Sequence, residues 1–242
     1  MRAFLPVLLL LGSATAQDTK TAPPLLVIRE LNDNRGATVK KELEAAFTKA
    51  GFRIALLTRE LADDDAVEAW FKEVAKEAPF DRARVVILGF SAAGVEGAKP
   101  AFAFPKRFCG LILPAALVPV PDGADLKAAA PHLPVFLIYG ESDTTAPPRI
   151  GETARKSLEE AGVGADWKLL PKADHFGVLK DGAAAMAEWA SVATFCVSRL
   201  RKSDEVAAKN KADAKKLLEE IQKQHPKSRF AEQAKKRLES LK

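Results

Sequence analysis

Gly89-Phe90-Ser91-Ala92-Ala93-Gly94 follows a short apolar run at residues 85–88 and opens a segment with helical character. A serine on a tight strand-to-helix turn needs small residues two positions to either side, because the turn brings strand and helix into close contact. Gly89 and Ala93 meet that need. The hexapeptide makes Ser91 a candidate nucleophile, although a serine that merely caps a helix would fit the same letters.

Similar short apolar runs recur between residues 24 and 200. They are apolar at nearly every position, as strands buried on both faces of a parallel sheet must be. The runs lie at residues 25–28, 54–57, 85–88, 111–113, 135–139 and, more weakly, 167–170. Segments with helical periodicity separate them, at residues 38–50, 63–77, 151–161 and 182–199. The alternation predicts an α/β domain with a mostly parallel sheet of about six strands and helices on both faces.

Two further residues follow predicted strands. Asp143 ends the stretch Gly140-Glu141-Ser142-Asp143 after the fifth run, and His175 lies in Asp174-His175-Phe176 after the sixth. The carboxyl ends of parallel strands meet at one edge of a sheet, where sites form. The chain order Ser, Asp, His is also one that serine hydrolases use. We therefore predict that Ser91, Asp143 and His175 form a catalytic triad.

Other titratable residues compete for these roles. Glu141 and Asp174 also lie near strand ends and could supply the acid, whereas His132 and His225 are expected at the surface. The acidic run at residues 63–65 opens a predicted helix, and we interpret it as a cap rather than a metal site. The stretch at residues 114–134 is too short to fold as a lid domain, so the site should be open to solvent.

Residues 24–200 resemble the α/β-hydrolase superfamily, and are most similar to its lidless dienelactone-hydrolase-like and carboxylesterase-like members. Pro105-Lys106-Arg107-Phe108-Cys109-Gly110 resembles the family's Pro-x-Arg-Phe-x-Gly stretch. Residues 133–143 resemble its acid-bearing strand, with a proline, Pro147, after the aspartate. The resemblance implies that Ser91 is the nucleophile, Asp143 the acid and His175 the base.

An oxyanion hole needs two backbone N–H donors. Ala92, the residue after the nucleophile, should supply one, and Leu31, in the loop after the first strand, should supply the other. Many relatives have His-Gly where this chain has Glu30-Leu31. A carboxylate that pointed inward there would repel the developing oxyanion, whereas one that pointed away would only hold the loop.

The composition changes after residue 201. Two apolar stripes with helical spacing flank the turn His225-Pro226-Lys227-Ser228; they consist of Ala214, Leu217, Leu218 and Ile221, and of Ala231, Ala234, Leu238 and Leu241. Residues 203–242 resemble a single tetratricopeptide-like helical hairpin, joined through the polar residues 201–203. One such unit cannot bury its stripe alone, so it should dock on the main domain, pair with another copy or bind a protein partner.

The first 16 residues resemble a secretory signal peptide. Arg2 precedes an apolar stretch at residues 4–11, and Ala14-Thr15-Ala16 forms a small-residue cleavage site before Gln17. The stretch is too short to span a bilayer, and no other segment approaches that length. We therefore predict a protein that is exported to the periplasm or secreted, without a membrane span.

Charge and cysteine content restrict the partners and the redox state. Residues 200–242 contain 13 Lys and Arg against 7 Asp and Glu, so the net charge of +5 comes from the tail, where we interpret it as a solvated helix face. No nucleic-acid partner is predicted. Export would permit a disulfide between Cys109 and Cys196, but we expect two buried free thiols.

Together these patterns predict an exported serine hydrolase that cleaves small-molecule carboxylic esters through an acyl-enzyme, without a metal or an organic cofactor. Amide or thioester cleavage would use the same residues, since fold does not set substrate. The alternative is a non-catalytic binding module that acts through its C-terminal hairpin. The orientation of the loop at residues 30–34 separates the two hypotheses.

Overall fold

The computed structural model describes residues 22–31, 35–118 and 123–241. The predicted signal peptide at residues 1–16 lies outside these ranges. Within them, no helix combines the length and the apolar character that crossing a membrane requires.

The described residues form a six-stranded parallel sheet. Its strands are β1 (Leu25–Arg29), β2 (Arg53–Leu57), β3 (Val85–Leu88), β4 (Gly110–Pro114), β5 (Val135–Gly140) and β6 (Ala165–Leu170). Their order is β2-β1-β3-β4-β5-β6, and every neighbouring pair is parallel. The inner strands are almost wholly buried, whereas the edge strands β2 and β6 are partly exposed. The predicted fold class is confirmed, and the edge position of β6 explains its weaker apolar signal.

Helices connect the strands and follow the last one. In the described part of the chain they are α1 (Arg35–Lys49), α2 (Asp64–Glu77), α3 (Ala93–Ala103), α4 (Gly123–Ala129), α5 (Pro148–Glu160), α6 (Gly177–Ala207), α7 (Lys211–Gln224) and α8 (Arg229–Ser240). The helices α1, α5 and α6 begin three to five residues before the predicted starts at residues 38, 151 and 182. Glycine or proline in their first turns weakens the helical pattern there. Helix α4 lies in a stretch for which the sequence predicts no helix.

The acidic residues at the start of α2 have structural roles. The Asp63 carboxylate accepts a hydrogen bond from the Ala66 N–H at 2.7 Å, which confirms the predicted cap. Asp64 binds the guanidinium of Arg107, and this hydrogen bond holds the pKa of the Asp64 carboxyl below its usual value. Arg107 therefore ties the segment before β4 to the start of α2.

Helix α6 runs through the residues predicted to join the main domain and the tail. Residues 201–203 lie inside this 31-residue helix, and Ser203 is buried. Arg201 donates hydrogen bonds from Nη1 to the Lys106 carbonyl and from Nη2 to the carbonyls of Pro105, Phe108 and His132, at 2.6–3.1 Å. These polar residues include a partly buried arginine whose two Nη atoms bind backbone carbonyls, and the helix continues to Ala207.

The hairpin α7–α8 buries its apolar stripes within the chain. Helix α7 packs on α6, and α8 packs on both α7 and α6. The buried residues are Ala214, Leu218, Ile221, Phe230, Ala231 and Ala234. Arg229 Nε lies 3.1 Å from Asp166 Oδ1, and Nη2 of the same residue donates to the Ala165 carbonyl. Of the three arrangements predicted for the hairpin, the structure therefore contains docking on the main domain.

Both cysteines are buried free thiols, as expected. Burial raises the pKa of Cys109 to about 11 and that of Cys196 to about 12. The Cys109 thiol donates to the Ala83 carbonyl at 2.9 Å. Both thiols are therefore protonated and enclosed at neutral pH, and neither has the thiolate character that makes a cysteine reactive.

Candidate active site

Ser91 lies on the turn between β3 and α3 with a backbone φ of +54°. Non-glycine residues rarely adopt this left-handed conformation, which costs about 1–3 kcal/mol. The end of β4 holds the turn in place: the Ser91 N–H donates to the Pro114 carbonyl at 3.1 Å, and the Leu117 N–H donates to the Ser91 carbonyl at 3.2 Å. Hydrogen bonds on both sides of one residue stabilise the strained turn.

Two glycines allow the turn to close. A Cβ at Gly89 would lie 2.5 Å from the Ala93 carbonyl oxygen and 2.6 Å from the Gly94 Cα, so the predicted need for a small residue is met by glycine itself. A Cβ at Gly94 would lie 2.4 Å from the Ala116 Cβ. The sequence gives no role to Gly94, because only the fold shows that α3 passes so close to the chain after β4.

The side chains of Ser91, His175 and Asp143 meet at the carboxyl edge of the sheet. His175 Nε2 lies 2.9 Å from Ser91 Oγ, and His175 Nδ1 lies 2.8 Å from Asp143 Oδ2. Asp143 follows β5, His175 lies between β6 and α6, and Ser91 follows β3. The structure thus brings together all three predicted residues in one hydrogen-bonded chain.

Asp143 is buried, with 3% of its surface exposed. Its Oδ1 accepts hydrogen bonds from the backbone N–H groups of Thr145 and Ala146, both at 2.8 Å, and Oδ2 faces His175. An ionised carboxylate only accepts hydrogen bonds, so His175 Nδ1 donates and Nε2 is left to accept the Ser91 hydroxyl proton. The tight turn after Asp143 that supplies both N–H donors has no sequence signal beyond the nearby Pro147.

The competing residues have other partners. Glu141 accepts a hydrogen bond from the Lys172 N–H at 3.1 Å, and Asp174 accepts one from the Gly177 N–H at 2.7 Å. His132 and His225 are partly buried rather than at the surface, and burial lowers the pKa of both. None of these four side chains is hydrogen-bonded to Ser91 or His175 among the described residues.

The two predicted oxyanion donors lie at one small pocket. Leu31 and Ala92 line it together with Ser91 and Phe90. Among the described residues, no acceptor binds the N–H of Leu31 or of Ala92. Within the described ranges, both N–H groups are thus left to bind an oxygen of a substrate.

The Glu30 side chain is not part of this pocket. A Cβ built on Gly36 would lie 2.7–2.8 Å from the Glu30 side-chain carbons, so Glu30 packs over the start of α1. Arg29 Nη1 fixes the Glu30 backbone by donating to its carbonyl and to the Leu57 carbonyl, both at 2.8 Å. The orientation of the loop at residues 30–34 is expected to distinguish an enzyme from a non-catalytic binding module. Residues 32–34 of this loop lie outside the described ranges.

Aromatic rings surround His175. The ring centroids of Phe90 and Phe176 lie 4.9 and 5.4 Å from that of the imidazole. Phe90 is buried beneath the site, whereas Phe176 is 55% exposed. Neither residue can be assigned to the site from the sequence, because an isolated Phe carries no signal that distinguishes core from site.

The part of the chain that the structure describes contains no group of three or more His, Cys, Asp or Glu side chains placed to hold a metal ion. The candidate site consists of Ser91, Asp143 and His175, with Leu31 and Ala92 beside the serine.

No model of a known protein family matches the chain, and no curated protein matches it. Several solved structures are similar to it in fold. A truncated carbohydrate esterase from gut microbiota has a TM-score of 0.56 and 14% identity, over 74% of this chain and 88% of that one. S-formylglutathione hydrolase from Staphylococcus aureus has a TM-score of 0.54 and 14% identity, over 71% and 83%. A ferulic acid esterase has a TM-score of 0.52 and 13% identity, over 72% and 84%.

At these identities the likeness concerns the fold. The shared part covers about three quarters of the chain, which corresponds in length to the sheet and its helices rather than to the whole chain with its hairpin. With a parallel sheet in the order β2-β1-β3-β4-β5-β6 and a strained serine turn after β3, the chain has the α/β-hydrolase fold.

Proposed function

We propose that the protein is a serine hydrolase that cleaves carboxylic esters of small molecules. The observation that carries this proposal is the chain of hydrogen bonds from Ser91 through His175 to the buried Asp143. A serine that only makes structural hydrogen bonds can have an ordinary backbone conformation. A strained φ is expected where the turn must expose a nucleophile to the substrate. The names of several structures with the same fold, which include esterases, agree with ester chemistry.

In the first half of the reaction, Ser91 Oγ forms a bond to the acyl carbon while its proton moves to His175 Nε2. The carbonyl π electrons move to the oxygen, which becomes the oxyanion. When they return, the bond to the leaving alkoxide breaks, and His175 Nε2 gives its proton to that oxygen. The products of this half are an alcohol and an acyl-enzyme on Ser91.

Water completes the cycle. His175 Nε2 takes a proton from a water molecule whose oxygen attacks the acyl carbon, and the same proton then returns to Ser91 Oγ as its bond to carbon breaks. One ester and one water give one carboxylic acid and one alcohol. Asp143 keeps the Nδ1 proton on His175 and stabilises the imidazolium that forms in each half.

The oxyanion would be bound by the N–H groups of Ala92 and Leu31. Both residues line the pocket beside Ser91. Glu30 does not line it, and its side chain packs on Gly36 at the start of α1. Donors of this kind contribute about 2.7–4 kcal/mol each to the transition state. We also propose that the protein is exported and acts in the periplasm or outside the cell, on the basis of residues 1–16.

A fluorophosphonate probe tests the proposal, because it reacts with activated serines and requires no knowledge of the ester. We expect wild-type protein to be labelled at Ser91, and Ser91→Ala and His175→Ala to be unlabelled. Ser240→Ala removes an exposed hydroxyl on α8 and should be labelled like wild type. The same proteins are then assayed on acetate and longer acyl esters, and for melting temperature. A folded wild-type protein that is neither labelled nor active would favour the non-catalytic binding module.

A further inference from the structure

An exposed aromatic side chain lies beside the proposed general base. Among the described residues, three large apolar side chains are exposed: Leu117 at 43%, Leu169 at 40% and Phe176 at 55%. Phe176 packs edge-on against the His175 ring at 5.4 Å and lies 5.5 Å from the Phe90 ring. Water against an aromatic face is unfavourable, so an exposed apolar surface at a site indicates binding of an apolar group.

The direction of proton transfer identifies that group. His175 Nε2 must reach the leaving-group oxygen, so the alcohol part of an ester leaves on the side of Ser91 where His175 lies. The oxyanion would instead face the pocket lined by Ala92 and Leu31. The side chain that continues from His175 into solvent is Phe176. The alcohol part therefore emerges over the Phe176 ring.

Charge near Phe176 narrows the chemistry of the alcohol. A Cβ built on Gly177, the next residue, would lie 3.0 Å from Asp174 Oδ1 and 3.7 Å from Asp181 Oδ2. Two carboxylates beside the residue that follows Phe176 disfavour an anionic group there. Leu117, whose N–H binds the Ser91 carbonyl, is a second exposed apolar side chain.

We propose that Phe176 determines specificity for esters whose alcohol part is aromatic and carries no negative charge, stacked on the Phe176 ring as it leaves. The inference rests on the proposed function and specifies its substrate class. Aromatic rings prefer edge-to-face or offset contacts with centroids about 4.5–7 Å apart. An accessible ring held against Phe90 and His175 presents such a surface without rearrangement.

The experiment compares two esters with the same acyl group, benzyl acetate and ethyl acetate. We expect wild type to have the higher kcat/KM for benzyl acetate. Phe176→Ala should lower the ratio of the two values about tenfold, and Phe176→Leu, which keeps an apolar surface, should lower it less. Leu169→Ala removes an exposed apolar side chain from the edge strand β6, so it should leave both values unchanged.

Fluorophosphonate labelling of each variant reports whether Ser91 and His175 still react, because the probe's leaving group is a fluoride ion, which has no aromatic surface to stack on Phe176. A labelled Phe176→Ala protein that has lost equal activity on both esters, or has lost none, would overturn the specificity role and leave the hydrolase proposal intact. A folded wild type that is unlabelled and cleaves neither ester would overturn both.

Discussion

Replacing Asp143 with Asn tests the proposed triad most directly, because the change keeps the shape of the side chain. In the native site, Asp143 Oδ1 accepts from the N–H groups of Thr145 and Ala146, and Oδ2 faces His175 Nδ1 at 2.8 Å. Because these two backbone N–H groups need an acceptor, an asparagine at this position would turn its carbonyl oxygen toward them. The NH₂ group must then take the place of Oδ2 and face His175.

That arrangement moves the proton on the imidazole. His175 Nδ1 would accept from the amide, so its proton would lie on Nε2, which could no longer accept from Ser91. We expect kcat to fall about 10,000-fold, the size of the effect of the wrong tautomer in a Ser-His-Asp hydrolase, or about 5.5 kcal/mol in activation free energy. The melting temperature should change little, because each hydrogen bond keeps a partner.

The assay is turnover of an activated acetate ester at neutral pH, with thermal melting on the same samples. Asp174→Asn is the matched control: Asp174 accepts one hydrogen bond from the Gly177 N–H at 2.7 Å, which an amide oxygen also accepts. That variant should keep activity within a few-fold of wild type. A folded Asp143→Asn protein with activity within tenfold of wild type would refute the view that Asp143 sets the tautomer of His175.

Three further predictions follow from the packing. Gly89→Ala places a Cβ 2.5 Å from the Ala93 carbonyl oxygen, so chemical denaturation should give an unfolding free energy lower by about 1–3 kcal/mol. Fluorophosphonate labelling of this variant should also be slower, and unchanged stability would contradict the close contact. Arg201→Ala leaves four carbonyls without their donor and should lower the unfolding free energy by about 1–3 kcal/mol. The control Arg82→Ala removes an exposed ion pair with Glu68 and should lower the unfolding free energy by less than about 1 kcal/mol. Equal decreases in the two variants would show that Arg201 has no special role in stability. A chain that ends after Ala208 keeps α6 whole and should retain ester turnover within a few-fold of the full chain. Its melting temperature should be lower, because it loses apolar side chains that each contribute about 1.5–3 kcal/mol when fully buried. A folded truncation that has lost turnover by orders of magnitude would show that the hairpin shapes the site.

The strands and the three site residues could be predicted from the sequence because their signals are local. A fully apolar run has few alternatives to a buried strand, and the carboxyl ends of parallel strands share one edge whatever the loops between them do. His175 and Ser91 are 84 residues apart in the chain, yet both positions are set by the strands that precede them. Residue placement at a strand end is thus enough to predict that they converge.

The boundary of the tail could not be predicted, because its signal is not local. Arg201 and its neighbours are polar letters, and polar letters between two patterns usually indicate a junction. The acceptors that allow Arg201 to lie inside a helix are the carbonyls of residues 105, 106, 108 and 132, which lie between 69 and 96 residues away in sequence. Only the completed fold brings them to α6, so the same residue types are compatible with a solvated linker and with a partly buried arginine inside a helix.

Side-chain direction sets the other limit, and Glu30 illustrates it. The letters Glu30-Leu31 allow a carboxylate that faces the oxyanion or one that faces away, and these orientations imply opposite functions. The backbone decides between them: Arg29 fixes the Glu30 carbonyl, and the absence of a side chain at Gly36 leaves room for the Glu30 carbons over α1. A residue with a side chain at position 36 would occupy that space, and Glu30 would have to move. The position of the Glu30 side chain therefore depends on a glycine six residues away, in another element of the fold.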